Sequence, residues 1–305
     1  MSNLSISHSK VQTAQCLRRY YFNYELRRSP LEEPKELIQG KVFHAFIETG
    51  DYGTIVDATA LGPDLRAVLI ALAGNYRPVV ATETKLEVKL TIDNFVPGAN
   101  LVGVIDGEHI DEQAQFYIRE TKTTRATISV GSDYWTKTHW VNPQHDLYHY
   151  LEREHGRVPA YTLWDAIRIP ALKRNRATPI AEREFYKRAT GSAAVGDPKP
   201  GTYLNDESFE QFRGRADETI RTNPGEFYHR ETVIANDQSI ADTVEGVKYT
   251  TQALLSAHES NSFPCNKSLC FSYGRPCDYL PVCSGKASID DPTLYKIRHK
   301  REEIA

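Results

Sequence analysis

Residues 101 to 122 read Leu-Val-Gly-Val-Ile-Asp-Gly-Glu-His-Ile-Asp-Glu-Gln-Ala-Gln-Phe-Tyr-Ile-Arg-Glu-Thr-Lys. β-Branched and aromatic residues recur in two runs, Leu101 to Ile110 and Ala114 to Thr121, and predict two strands. The polar Asp111, Glu112 and Gln113 between them predict a hairpin connection. With the turn centred on Glu112, Asp106 falls opposite Ile118 and Glu120 opposite Val104. The two carboxylates are then diagonal neighbours on one face, near enough to share a cation. Lys122 points the same way as Glu120, because side chains alternate along a strand. A one-residue change of register would separate them.

Two carboxylates and a lysine at strand ends suit one chemistry. Hard divalent cations take oxygen ligands, and Mg²⁺ needs only one or two protein carboxylates beside water and substrate phosphate. Such an ion acidifies a water, and a neighbouring ammonium can orient that water or steady developing charge. Taken alone, these are also ordinary charged residues near a hairpin.

The flanking segments extend the pattern. Gly40 to Thr49 predicts an amphipathic helix with His44 and Glu48 on one face. Imidazole suits Mn²⁺ and softer ions better than Mg²⁺, although a helix histidine is equally an ordinary packing residue. Ala81 to Asp93 alternates as a strand and carries Glu83 and Glu87, which face solvent or support a site. Asn142 to His155 predicts a helix capped by Asn142, with Pro143 in its first turn and Gly156 at its end. Gln144 and Tyr148 share a face of it. Val158 to Ile169 predicts the next strand. The order of elements is that of an α/β core.

Five cysteines are present, and Cys265, Cys270, Cys277 and Cys283 crowd into the segment from Phe263 to Gly285. Cys16 stands near the other end. Four thiolates can hold zinc or an iron–sulfur cluster, and no Cys-x-x-Cys knuckle of the zinc-ribbon kind occurs. Cys16 alone could also be a buried free thiol.

In order, Gly40-x-x-x-His44, Gly103-x-x-Asp106, Glu120-x-Lys122 and Gln144-x-x-x-Tyr148 resemble the PD-(D/E)XK nuclease superfamily, and within it the RecB-like branch. The cysteine layout resembles the iron–sulfur nucleases of that branch, such as the AddB nuclease domain and CRISPR-associated RecB-like exonucleases. The resemblance covers roughly residues 5 to 150 and 263 to 283. It implies an α/β fold with a mixed central sheet flanked by helices and a C-terminal cysteine clasp. It also implies hydrolysis of DNA phosphodiester bonds, exonucleolytic on single strands. His44, Asp106 and Glu120 would hold Mn²⁺ or Mg²⁺, with the Thr121 carbonyl as an additional ligand. Lys122 would position the attacking water, and Gln144 and Tyr148 would hold the DNA strand or the lysine. Cys16, Cys270, Cys277 and Cys283 would hold a [4Fe–4S] cluster, leaving Cys265 free. The local alternative uses Cys265 in place of Cys16.

Domain organisation follows from the same reading. Residues 1–305 form one nuclease domain, with 40–170 as catalytic core, 1–30 and 263–285 as the clasp, and 172–235 as an insertion of unassigned role. A non-catalytic DNA-binding or scaffold protein stapled by iron–sulfur or zinc is the alternative.

Composition sets the outer limits. The chain has 305 residues, 40% hydrophobic and 25% charged, with net charge −3 and pI near 6.4. That balance excludes bulk electrostatic attraction to DNA. Contacts would need local patches: Arg18, Arg19, Arg27 and Arg28, or Lys173, Arg174 and Arg176, or Lys296 to Arg301. Tyr134, Trp135 and Trp140, interleaved with Arg125 and Lys137, suit either base stacking or packing over the core. No apolar run of membrane-spanning length and no signal-peptide pattern at the start are seen, so the cytoplasm is expected and a membrane partner is not. A P-loop motor motif is missing. Helicase, recombination or CRISPR-adaptation partners stay open.

Overall fold

The computed structural model describes all residues except 1–2, 139–141, 187–196, 273–274 and 299–305. Trp140, Gly274 and the end of the tail patch therefore lie outside the described residues.

The chain opens with β1 (Leu4–Ile6), α1 (His8–Ala14) and α2 (Leu17–Tyr20). A π-helical turn (Tyr21–Glu25) leads to β2 (Arg28–Pro30), then α3 (Lys35–Thr49), α4 (Gly53–Val56) and α5 (Pro63–Asn75). The strands β3 (Glu83–Val96), β4 (Ala99–Ile110) and β5 (Phe116–Thr124) follow, then α6 (Asp133–Thr138), α7 (Pro143–Glu154) and β6 (Thr162–Arg168). The last third holds α8 (Phe209–Thr222), α9 (Pro224–Phe227), β7 (Tyr228–Val233) and α10 (Asp237–Glu259). It finishes with β8 (Phe271–Ser272), β9 (Arg275–Pro276), α11 (Leu280–Cys283) and β10 (Tyr295–Ile297).

The cap expected from sequence recurs: Asn142 caps α7 by accepting from the Gln144 amide, with Pro143 in the first turn. Ser7 likewise caps α1. A capping box between Ser208 and Gln211 starts α8.

The sheet runs β1-β4-β5-β6-β7, with β3 added to β4. It is mixed: β1 with β4 and β5 with β6 are parallel, while β3–β4, β4–β5 and β6–β7 are antiparallel. The parallel β5–β6 pair needs a crossover, which α6 and α7 supply. On one face α3, α5 and α8 bury Phe43, Leu69, Leu72 and Phe212 against Ile167. On the other, α1, α7 and α10 bury Leu147, Leu151 and Leu254 against Leu101, Ile105 and Ile118. This is the α/β fold with a mixed sheet between helices that the motif order implied.

Three labelled elements, α8, α9 and β7, fall inside the stretch read as an insertion. Within 172–235, β7 continues the sheet beside β6, and Phe212, Ala216 and Ile220 of α8 are fully buried. Residues 209–233 thus belong to the core. Among the described residues no helix is long and apolar enough to cross a membrane.

Candidate active site

β4 serves three partners, and this creates the site. β3 lies along one side of it, from Glu83 opposite Ile110 to Val96 opposite Ala99. β1 and β5 therefore share the other side. β1 ends with Ile6 opposite Leu101, and β5 begins pairing with Gly107 opposite Arg119. Among the described residues, Val102 to Asp106 has no strand partner on that side. Buried backbone groups need partners from elsewhere. Tyr148 of α7 supplies one, its hydroxyl donating to the Val104 carbonyl at 2.6 Å.

The hairpin register differs from the expected one. Ile118 stands opposite Glu108, not Asp106. The cause is the turn. Asp111 accepts from the Gln113 and Gln115 amides at 2.9 and 2.8 Å, and Ala114 is left-handed with φ 59°. This side-chain-closed loop delays β5 to Phe116 and recentres the hairpin on Gln113. Continuing that register by one residue sets Asp106 directly across from Glu120, rather than diagonal to it.

The strands part there, and the Asp106 carboxylate enters the opening. Its Oδ2 accepts from the Thr121 amide at 2.9 Å. His44 Nδ1 lies 3.7 Å from the same oxygen. Glu120 is 1% exposed; the Lys122 ammonium pairs with its Oε1, and Oε2 has no hydrogen-bond partner among the described residues. Lys122 Nζ donates to Gln144 Oε1 at 3.0 Å, and Gln144 Nε2 donates to the Tyr148 hydroxyl at 2.8 Å. His44, Asp106, Thr121, Glu120, Lys122, Gln144 and Tyr148 thus meet around one gap in the sheet.

Both motif glycines permit the approach of a helix. A Cβ on Gly40 would come 3.1 Å from Thr123 Oγ1, so α3 packs closely on β5 and His44, one turn later, reaches Asp106. A Cβ on Gly103 would sit 2.4 Å from Leu151 Cδ1 and 3.3 Å from Tyr148 Cε1. Without it α7 lies tight on β4, which lets Tyr148 reach Val104.

Burial and crowding of carboxylates set the electrostatics. Burial first, then the Asp106 charge, pushes Glu120 up to about 7, against the pull of Lys122. Burial opposes the Lys122 ammonium, but Glu120 and Asp106 outweigh it and hold its pKa above the ordinary value. Burial lowers the His44 imidazole despite Asp106. Burial, then Glu120 and Asp106, raises the Tyr148 hydroxyl well above its usual range.

Glu87 belongs here more closely than alternation suggested. The β3–β4 ladder passes from Leu86 opposite Gly107 to Val88 opposite Ile105, so Glu87 lies across from Asp106. Its φ is 50°, an uncommon left-handed value for a non-glycine residue in a strand. Partial burial, then Asp106 and Glu48, raises its carboxyl to about 7. The backbone kink that turns it toward the site leaves no mark in residue type.

Among the described residues, no three His, Cys, Asp or Glu side chains stand ready in a ligating arrangement. The donor chemistry nevertheless fits a hard divalent cation. A buried carboxylate oxygen without a hydrogen-bond partner, beside a second carboxylate, lacks the compensating charge such an ion brings.

A second cluster joins the chain ends. Cys16 precedes α2, and its Sγ accepts from the Asn266 amide at 3.3 Å. It lines one small pocket with Cys265, Cys270, Cys277 and Cys283. Cys265, expected outside this group, is inside it, in hydrogen-bonding contact with Cys270 and Cys283. The reason is local: the Arg18 amide donates to the Pro264 carbonyl at 3.2 Å and holds residues 264–266 against α2. Burial, then Cys265, pushes Cys283 up to about 11, and burial also raises Cys265 and Cys277. Five cysteines line this pocket, and thiolate is the donor a thiophilic metal group takes; its positive charge would reverse that trend.

Other sequence candidates have different places. Trp135 is 5% exposed in a cluster with Trp164 and Ile128, so it packs rather than stacks on bases. Arg28 pairs with Asp290, Arg174 with Asp64 and Arg176 with Asp206.

Comparison with known proteins agrees with this architecture. The family model of the PD-(D/E)XK nuclease superfamily matches residues 5–284. A candidate exonuclease from Eubacterium rectale has a similar solved structure, with TM-score 0.50 and 11% identity over 92% of this chain and 93% of that one. The solved structure of SSO0001 is more distant, with TM-score 0.35 and 11% identity over 83% of this chain and 78% of that one. No curated protein matches the chain. With the family match spanning both clusters and the fold agreeing, the chain belongs to the PD-(D/E)XK nuclease superfamily.

Proposed function

We propose that the protein is a divalent-metal-dependent deoxyribonuclease of the RecB-like branch, acting as an exonuclease on single-stranded DNA. The observation that carries this is the meeting of Asp106, Glu120 and Lys122 in the gap between β1 and β5, with an oxygen of Glu120 buried and unbonded. The exonuclease assignment follows the RecB-like resemblance and the name of the Eubacterium rectale protein; the strand preference follows the resemblance.

Asp106, Glu120 and His44 would hold Mg²⁺ or Mn²⁺, with the Thr121 carbonyl beside them. When bound, that ion supplies Lewis-acid activation of water and phosphate. Lys122 stands next to Glu120 and can orient the attacking water, and its charge offsets the negative charge that grows on the phosphate. Gln144 fixes the ammonium, and Tyr148 fixes Gln144 by anchoring it to the β4 backbone. Glu87, at the rim, adds to the negative field that favours a cation.

Cys16, Cys270, Cys277 and Cys283 would hold a [4Fe–4S] cluster as a clasp between the chain ends, with Cys265 beside them as the alternative fourth ligand. The domain reading follows: one nuclease unit, with a catalytic core and this clasp.

Incubation of purified protein with end-labelled single-stranded DNA in Mn²⁺ or Mg²⁺ tests the reading. Progressive shortening that EDTA stops, and that Glu120→Ala lacks, supports it. DNA that is bound and left intact under every metal condition favours the scaffold alternative.

A further inference from the structure

The gap between β1 and β5 has one more occupant, on the side opposite β5. β1 ends at Ile6, the chain turns at Ser7, and His8 is the first residue of α1. α1 packs against α7, the helix that carries Gln144 and Tyr148. His8 is thus delivered to the β1 end of the unpaired stretch of β4, while Lys122 comes from the β5 end. Burial first, then the Lys122 charge, pushes the imidazole down to about 4. His8 Nε2 is shielded from solvent and has no hydrogen-bond partner among the described residues.

A buried polar nitrogen without a partner that stands at a proposed active site is a candidate for a contact made only with substrate. The chemistry of the partner follows from the neighbours. A neutral imidazole next to an ammonium offers an N–H donor, so the two donors together favour an anionic oxygen over a base edge.

We propose that His8 is a substrate-contacting residue, its Nε2–H donating to a phosphate oxygen of the DNA strand held in the gap between β1 and β5. The inference rests on the nuclease reading above and deepens it. Lys122 then meets the strand from the β5 side and His8 from the β1 side, so the sheet opening is a two-walled phosphate clamp.

The test uses the whole protein and a single-stranded oligonucleotide, with binding read by fluorescence anisotropy in Ca²⁺ and cleavage read in Mn²⁺. His8→Ala should weaken binding about tenfold to a hundredfold and raise KM by a similar factor, an order expected for one hydrogen bond to a charged group. His8→Gln, which keeps an amide donor at similar reach, should recover most of the loss. A scan with single methylphosphonates, each removing one phosphate charge, should find a position where wild type loses affinity and His8→Ala loses none further. A purely structural role would leave that position equally sensitive in both. Thermal melting controls for folding, and a poorly folded His8→Ala leaves the scan to be read in His8→Gln and in His8→Asn, whose shorter donor should lower affinity. If Glu120→Ala abolishes cleavage while His8→Ala matches wild type in affinity, KM and scan, this inference falls and the nuclease reading stands. If wild type neither binds nor cleaves DNA, both fall.

Discussion

Tyr148 stands where a strand would stand: its hydroxyl donates to the Val104 carbonyl at 2.6 Å and accepts from Gln144 at 2.8 Å. A single phenol thus closes the sheet backbone and anchors the residue that holds Lys122. Tyr148→Phe should therefore lose stability, by about 1–3 kcal/mol for a buried pair of unmet groups, and slow cleavage. Thermal melting and single-turnover kinetics on one preparation check both effects. Unchanged values for both would show that water replaces the hydroxyl.

Loss of the central charges should act on chemistry more than on binding. Asp106→Ala, Glu120→Ala and Lys122→Ala should each lower the cleavage rate by about 10²-fold or more, as for lost transition-state electrostatics, with DNA affinity largely retained. Rapid quench assays in Mn²⁺ measure the first effect and anisotropy in Ca²⁺ the second. His44→Ala should in addition shrink the preference for Mn²⁺ over Mg²⁺.

Gly103→Ala adds a methyl 2.4 Å from Leu151 Cδ1. The neighbouring helix must shift, which should cost about 1–3 kcal/mol as overpacking and move Gln144 and Tyr148 with it. Gly246→Ala in α10 is the comparison, because among the described residues nothing lies within 4 Å of the added methyl. Melting temperatures should fall further for the first variant than for the second.

The pH dependence of stability should report a buried histidine pair. His149 is fully buried, shares the Thr162 hydroxyl with His145, and is pushed down to about 3 by burial, then by His145 and Arg153. The unfolded imidazole titrates near 6.5. Between those values the unfolded chain binds the extra proton, so stability from this group is full above about 6.5 and lost as pH falls toward 3. The slope is at most about 1.4 kcal/mol per pH unit for one proton. His149→Gln should flatten the melting curve against pH in that window, whatever it does to stability at pH 8.

The cysteine pocket predicts colour. Anaerobically purified protein should be brown, with about four irons per chain for a cubane. Cys16→Ser should lose colour and thermal stability together, and Cys265→Ser should keep both. The reverse pattern would move the fourth ligand to Cys265, which lines the same pocket. A colourless, zinc-loaded protein would remove the iron–sulfur assignment.

The parts of this protein that sequence exposes are those where residue type carries the constraint. Asn142 with Pro143 fixes the start of α7 and hence the phase of Gln144 and Tyr148. The glycines at 40 and 103 mark helix contacts that no other residue allows. The register of the hairpin was hidden, because it depends on Asp111 closing its own loop rather than on the strand pattern. Glu87 and His8 were hidden for a related reason: a backbone kink aims one, and the end of a three-residue strand delivers the other. Both depend on contacts between distant segments, which local periodicity does not encode.

The Asn266 amide meets the Cys16 sulfur across 250 residues of chain. On a ribosome adding about 5–20 residues per second, roughly 12–50 s separate the making of the two halves of that pocket. From residue 122 onward the nascent chain carries the residues proposed to cut, while α1 and α2 wait for their docking partner. Order of synthesis thus acts as a safety catch: a product truncated before residue 265 would hold the proposed blade without the hinge pin that ties α2 to residues 265–283.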